Sequence, residues 1–175
     1  MKVAFSGTQS SGKTTLVNIL HQDSQFKDFK LFSEITRKIH ARGFKINQDG
    51  DNRTQVEIMK EHQRRIKTIG NAIYDRSSLD GLVYTDYLYR QGKVTLSTLK
   101  FAFDIFSETI EEYTYIFYTG AEIPLKKDGV RSPDMAFRKD ISRIFDSYIM
   151  LFKIPVLPLK GSVEERLKFV KGALK

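Results

Sequence analysis

The chain has 175 residues, 41% hydrophobic and 12% aromatic, which is enough apolar material for one domain with its own core. It contains no cysteine, which excludes a disulfide framework and any thiolate metal site. A formal net charge of +8 suits polyanionic partners, either nucleic acid or small phosphorylated substrates, and no apolar run approaches the length that spans a bilayer.

Lys2 to Ser6 is a short apolar run suited to a buried strand. Gly7-Thr8-Gln9-Ser10-Ser11-Gly12-Lys13-Thr14 follows it with the spacing G-x-x-x-x-G-K-[ST]. Leu16, Ile19 and Leu20 then recur at helical intervals. Strand, glycine-rich turn and helix together are the context a phosphate-binding loop needs. Gly7 and Gly12 can take backbone angles closed to other residues, so successive N–H groups can turn inward as an anion nest. The helix that starts near Lys13 adds its positive end. The pattern assigns Lys13 to the β- and γ-phosphates of a nucleotide and the Thr14 hydroxyl to Mg²⁺. Lys13 is expected to be exposed at the loop rather than packed.

Lys30 to Ser33 reads as the second strand, and Glu34 to Arg42 as a helix with Ile35 and Ile39 on one face and Gly43 as its stop. Residues 47–52 are polar and read as a loop. Thr54 to Ile69 is an amphipathic helix with Val56, Met59 and Ile66 as its buried side. The third strand, Asn71 to Tyr74, ends in Asp75, and Ser77 or Ser78 can cap the helix that runs to Gly92. Ser97 to Tyr113 is a Phe-rich helix, Tyr115 to Tyr118 the fourth strand, and 121–136 an irregular stretch carrying Pro124, Gly129 and Pro133. Phe137 to Phe152 is helical, and Pro155 to Leu159 is a strand whose prolines place it at an edge. Ser162-Val163-Glu164-Glu165 has the form of a capping box opening the last helix. The histidines His21, His40 and His62 lack ligand spacing and are expected on helix surfaces.

Strands alternating with helices predict an α/β fold with a mostly parallel five-stranded sheet, flanked by helices in three layers, and one domain over 1–175. In such sheets ligands gather at the C-terminal strand ends. The first strand delivers the glycine-rich loop, the second Glu34 and Arg37, the third Asp75 and Arg76, the fourth Thr119 and the segment leading to Arg131 and Arg138. Asp75 ends an apolar strand, so it suits a Mg²⁺-holding acid or, in the plainer reading, a helix cap. Glu34 opens a helix, where any carboxylate is favoured by the dipole, and Arg37 taken alone is an ordinary solvated residue. Lys126 to Arg138 reads as a basic lid, about 121–138, that can bring a cation to the γ-phosphoryl oxygens and exclude water.

On these residues the whole chain resembles the P-loop nucleoside and nucleotide kinases, the superfamily of thymidylate kinase and deoxynucleoside kinases. Within it the chain is similar to small AAA-type kinase-like ATPases common in bacteriophages, and to the nicotinamide riboside kinase domain. Gly7 to Thr15 resembles their Walker A loop, Glu34-Ile35-Thr36-Arg37 the acidic motif after the second strand, and Asp75-Arg76-Ser77 the motif after the third. Asp128 to Arg131 and Arg138 resemble the riboside-kinase lid. Ser77 stands where thymidylate kinases usually carry an aromatic residue, and Ile35 where deoxynucleoside kinases usually carry proline.

The composition leads to the expectation of a cytoplasmic compartment, and the resemblance implies an ATP- and Mg²⁺-dependent kinase of a nucleoside or nucleotide. A nicotinamide riboside acceptor, a hydroxyl within DNA or RNA, a non-catalytic nucleotide-binding module and a homodimer stay open. The implied catalytic residues are Lys13, Glu34, Asp75, Arg76, Arg131 and Arg138. The implied nucleotide contacts are Gly7, Gln9, Ser10, Ser11, Gly12, Lys13, Thr14, Thr15 and Gly161. Acceptor contacts are Glu34, Arg37, Arg76 and Tyr84, within a pocket expected near Arg37, Arg42, Arg53, Gln55 and the segment Tyr84 to Tyr89. Thr14 and Asp75 would hold the metal. A GTPase switch is disfavoured, since no glycine in the chain has an aspartate three residues before it.

Overall fold

The computed structural model describes residues 1–120 and 134–175. Its five strands are β1 (Lys2–Gly7), β2 (Lys30–Phe32), β3 (Ala72–Asp75), β4 (Tyr115–Thr119) and β5 (Val156–Pro158). They form one sheet in the order β2-β3-β1-β4-β5, and every pairing is parallel. The helices between them are α1 (Lys13–Gln22), α2 (Ile35–Ala41), α3 (Asn52–Ile66), α4 (Ser78–Arg90), α5 (Leu96–Thr109), α6 (Met135–Leu151) and α7 (Val163–Ala173). The expected α/β architecture is the observed one, and the proline-bearing β5 sits at an edge, where a missing N–H costs no ladder bond.

Alternation along the central strands divides the core into two layers. Val3, Phe5, Ile73 and Phe117 face α1 and α7, where Leu16, Leu20 and Val170 close the layer. Ala4, Tyr74 and Ile116 face the other side, covered by Met59, Leu79, Leu82, Phe106, Phe137 and Phe145 from α3, α4, α5 and α6. Both faces are apolar because both are buried, as a parallel sheet requires. Phe5 and Phe117 stack across neighbouring strands with centroids 5.3 Å apart.

Register brings the C-terminal strand ends together. Phe5 pairs with Asp75, Phe32 with Tyr74, and Gly7 with Thr119. The segments that follow β1, β2 and β3 therefore leave the sheet side by side. Gly7 has φ 134°, and a Cβ there would lie 2.0 Å from the Thr119 carbonyl oxygen, so this close exit admits only glycine.

Two expectations are corrected here. His62 is 3% exposed, inside the fold rather than on a helix surface, because it lies on the face of α3 that carries Gln55, Ile58 and Met59 toward α4. Residues 47–49 are a short 3-10 turn within the polar loop, with Asn47 at φ 57°.

Candidate active site

The loop after β1 wraps back on its own lysine. Lys13 is 4% exposed, and its ammonium donates to the carbonyls of Gly7 (2.9 Å) and Thr8 and to Ser11 Oγ (3.0 Å). The expectation of an exposed Lys13 is thus overturned: three loop oxygens hold the charge inside. Ser11 Oγ in turn donates to the Thr8 carbonyl at 2.8 Å. Gly12, at φ 81°, turns the chain into α1 and leaves the helix start without a side-chain cap.

Thr14, on the first turn of α1, donates its hydroxyl to Asp75 Oδ2 at 2.7 Å. Asp75 is not the cap of the following helix, so its plainer reading fails. Ser77 takes that role in a capping box completed by Asp80. Asp75 is 6% exposed and its Oδ1 has no hydrogen-bond partner. A buried carboxylate oxygen without a donor, beside a threonine hydroxyl, is a fitting donor set for a hard cation that takes few protein ligands.

Glu34 and Arg76 reach the same cleft from β2 and β3, with Ser10, Ser11, Lys13, Thr14 and Asp75. Glu34 is the N-cap residue of α2 at φ 58°, where the helix dipole favours a carboxylate, and that carboxylate makes no capping hydrogen bond. It faces Arg37, with Nε 3.5 Å from Glu34 Oε1, and Arg37 lines the cleft as well. Among the described residues, five non-glycine positions have positive φ. Four of them, Ser10, Glu34, Asn47 and Arg76, line this cleft. Backbone strain of roughly 1–3 kcal/mol per residue is characteristic of positions held by function rather than by local preference.

Asp80, which the sequence reading did not single out, ties these parts together. It is 1% exposed; Oδ1 accepts from Gly7 N–H (3.3 Å) and Arg76 Nη1 (3.2 Å), and Oδ2 from Ser77 N–H (3.1 Å). Burial pushes its carboxyl up, against the opposing pull of Arg76 and Lys13. The Ser-x-x-Asp spacing from Ser77 is a capping-box signal that was readable in the sequence. Ser6 Oγ and Ser77 Oγ add a 2.6 Å link between the ends of β1 and β3.

A second chamber opens from the first and shares Ile35, Thr36, Asn47 and Arg76 with it. Gln55, Ile58, His62, Asp80, Gly81 and Tyr84 complete its wall. Tyr84 donates to Gln9 Oε1 at 3.0 Å, and the Arg76 guanidinium lies 5.3 Å from the Tyr84 ring centroid. Of the residues expected around an acceptor pocket, Gln55 and Tyr84 line this chamber and Arg37 the adjoining cleft. Arg42 and Arg53 do not; they lie over the Phe44 ring, 5.1 and 4.8 Å from its centroid, and Arg42 also pairs with Glu57.

Arg138, on the first turn of α6, is 1% exposed and points its Nε at Thr8 Oγ1, 3.4 Å away, so it does reach the loop after β1. Arg131 lies outside the described residues, as does the lid stretch 121–133. Thr15 is exposed on α1 and Gly161 is exposed beside the α7 capping box; neither lines the two chambers. Gly161 is favoured locally by its φ of 81°, in the left-handed region. Arg166 of α7 was missed: it is 3% exposed and donates Nη1 to the Ser11 carbonyl at 3.2 Å. A lone arginine far along the chain carries no motif that would reveal this contact.

Residues 2–166 match the AAA domain family. No curated protein matches the chain. Among solved structures, deoxyadenosine kinase from M. mycoides with products dCMP and dCDP is similar at TM-score 0.74 and 14% identity, covering 99% of this chain and 98% of that one. The same enzyme with bound dATP has TM-score 0.70 over the same coverage. NadR in complex with NAD and AMP-PNP has TM-score 0.71 and 16% identity, covering 99% of this chain but 48% of the NadR chain.

Proposed function

The chain belongs to the AAA domain family, with the fold of the P-loop nucleoside kinases, and on that premise we propose that it is an ATP- and Mg²⁺-dependent kinase whose acceptor is a nucleoside hydroxyl. One observation supports the reading: a loop fitted for phosphates and a second, adjoining chamber meet at a shared wall that includes Arg76.

Under this reading the donor phosphates lie along the Gly7–Thr14 loop, where N–H groups, the α1 N-terminus and the Lys13 ammonium meet negative charge. Thr14 and Asp75 are the residues that would hold Mg²⁺, which supplies charge neutralisation at the β- and γ-phosphate oxygens. The acceptor occupies the second chamber with its hydroxyl toward Glu34. The hydroxyl oxygen bonds to the γ-phosphorus as the bond to the β–γ bridging oxygen breaks and ADP departs. The hydroxyl proton passes to the Glu34 carboxylate, a role that suits a side chain with no structural bond at its helix start. Arg76 stays cationic beside Asp80 and Tyr84, placed to stabilise charge that spreads over the transferring oxygens.

The test is turnover with a panel of nucleosides and nucleoside monophosphates in ATP and Mg²⁺. ADP formation that depends on a nucleoside supports the reading. ADP formation that depends only on monophosphates would move the acceptor from a hydroxyl to a phosphate.

A further inference from the structure

The second chamber ends on a side chain that the phosphoryl-transfer chemistry does not use. His62 is 3% exposed, lines the chamber, and its Nε2 has no hydrogen-bond partner. A buried imidazole nitrogen left without a partner in a chamber wall is poised for a ligand atom. Gly81, in the middle of α4, lets Met59 and His62 pack closely against that helix. A Cβ at Gly81 would lie 2.3 Å from Met59 Sδ and 3.6 Å from His62 Nε2. Glycine inside a helix costs about 0.5–1 kcal/mol relative to alanine, so this one is explained by close packing rather than by the helix. Gln55, two turns earlier on α3, is 2% exposed, and its side-chain amide lies 3.1 Å from Thr85 Oγ1, whose hydroxyl also reaches the Gly81 carbonyl at 2.7 Å. The chamber wall thus carries a side-chain amide and an imidazole nitrogen together with the apolar Ile35 and Ile58.

The charges around His62 set the sign of the ring the chamber accepts. Arg65 follows one turn along α3, and Arg76 lines the same wall. Glu61 is drawn away to Arg64 and Arg65, 2.7 Å from each. Asp80 is occupied by Arg76, Gly7 and Ser77. Burial, then the Arg65 and Arg76 charges, hold His62 neutral, with its pKa down at about 3, and Glu61 does not offset them. A field that refuses a proton on His62 also refuses a cationic ring against it.

We propose that His62 is a specificity-determining residue, which with Gln55 binds the edge of the acceptor's heterocycle and makes the chamber select an uncharged ring over a cationic pyridinium. The proposal rests on the reading of the second chamber as the acceptor site, and it divides the two acceptor types that the fold accommodates: nucleosides of neutral bases, and a pyridinium riboside such as nicotinamide riboside.

The experiment is calorimetric binding of the four common deoxynucleosides and of nicotinamide riboside, with a non-hydrolysable ATP analogue and Mg²⁺, alongside turnover with ATP. The wild-type protein is expected to bind at least one deoxynucleoside about tenfold or more tighter than nicotinamide riboside, the loss expected when a buried polar group is mismatched. His62→Leu should weaken that deoxynucleoside about tenfold or more and leave ATP-analogue affinity unchanged. His62→Gln, which keeps a polar end, should recover part of the loss and serves as the folded control if the leucine variant does not fold. Tighter binding of nicotinamide riboside, equal binding by wild type and both variants, or no binding of any of the five overturns the proposal. Deoxynucleoside binding that depends on His62 without any turnover would uphold the proposal and refute the kinase reading. Turnover of nicotinamide riboside in preference to deoxynucleosides would do the reverse.

Discussion

The Thr14 hydroxyl donates to Asp75 Oδ2 across 2.7 Å, joining the first turn of α1 to the end of β3. Removing the Asp75 charge as Asp75→Asn leaves an amide oxygen for Thr14 to donate to, so the fold persists while the cation site loses its anion. The Mg²⁺ concentration for half-maximal activity should rise about tenfold or more, a typical loss when a metal site is altered. Glu34→Gln should leave that concentration unchanged. A Mg²⁺ titration in which Glu34→Gln shifts the midpoint and Asp75→Asn does not would show the two roles exchanged.

Lys13 is structural as well as electrostatic. Its removal as Lys13→Ala takes a donor from the Gly7 carbonyl and from Ser11 Oγ and leaves the Thr8 carbonyl with Ser11 Oγ alone, and a buried group left unsatisfied costs about 1–3 kcal/mol. Lys13→Ala should therefore lose turnover and also unfold at a lower urea midpoint. An unchanged midpoint would mean that the ammonium does not hold the loop together.

Glu34 makes no cap bond, so Glu34→Gln should leave stability within about 0.5 kcal/mol of the parent, the usual range for a substitution away from structural features. Turnover with a hydroxyl acceptor should fall roughly 10²-fold or more, the contribution of a positioned base. Turnover with a phosphate acceptor should change little, because that oxygen is already ionised. Equal losses with both acceptors would remove the proton-accepting role.

Stability should carry the mark of His62. Its folded pKa, about 3, lies below the ordinary 6.5, so above pH 6.5 the group is neutral in both states and costs nothing. As the pH falls through 6.5 toward 3, the unfolded chain takes up a proton that the folded chain refuses. Stability then declines by up to about 1.4 kcal/mol per pH unit. Urea denaturation at pH 7.5 and pH 5 should show that decline in the parent and a smaller one in His62→Gln. A decline of equal size in both would place the imidazole in a less restrictive environment.

The net charge of +8 leaves nucleic acid to be tested directly. With a nucleoside acceptor, single-stranded oligonucleotides should bind weakly, with a shallow dependence on salt. A slope of about −0.7 per phosphate neutralised, summed over several phosphates, together with tight binding near physiological salt, would favour an acceptor within a polynucleotide.

Much of the fold was legible because its signals are local. The strands β1, β3 and β4 are apolar runs, Gly12 and Lys13 sit in a fixed spacing, and the Ser162 box announces α7. The strand-end residues Glu34, Asp75 and Arg76 were found by the rule that parallel sheets gather ligands at one edge, and register brings them to one cleft. What escaped was tertiary. The spacing of α3 puts His62 on the same face as Met59 and Ile66, but only the tertiary structure shows that this face meets Gly81 of a different helix. Arg166 reaches Ser11 across 155 positions of chain, and only the packing of α7 against α1 makes the contact. Arg42 and Arg53 looked like pocket residues by charge alone, whereas Phe44 gathers both on the outside.

The central claim is transfer of the γ-phosphoryl group to a nucleoside hydroxyl, and the most direct measurement follows that group. The protein is incubated with γ-labelled ATP, Mg²⁺ and each deoxynucleoside, and labelled products are separated. The account predicts label in a nucleoside monophosphate, absent without the acceptor and absent with Lys13→Ala. Label released only as inorganic phosphate, with no labelled nucleoside from any acceptor, would contradict it.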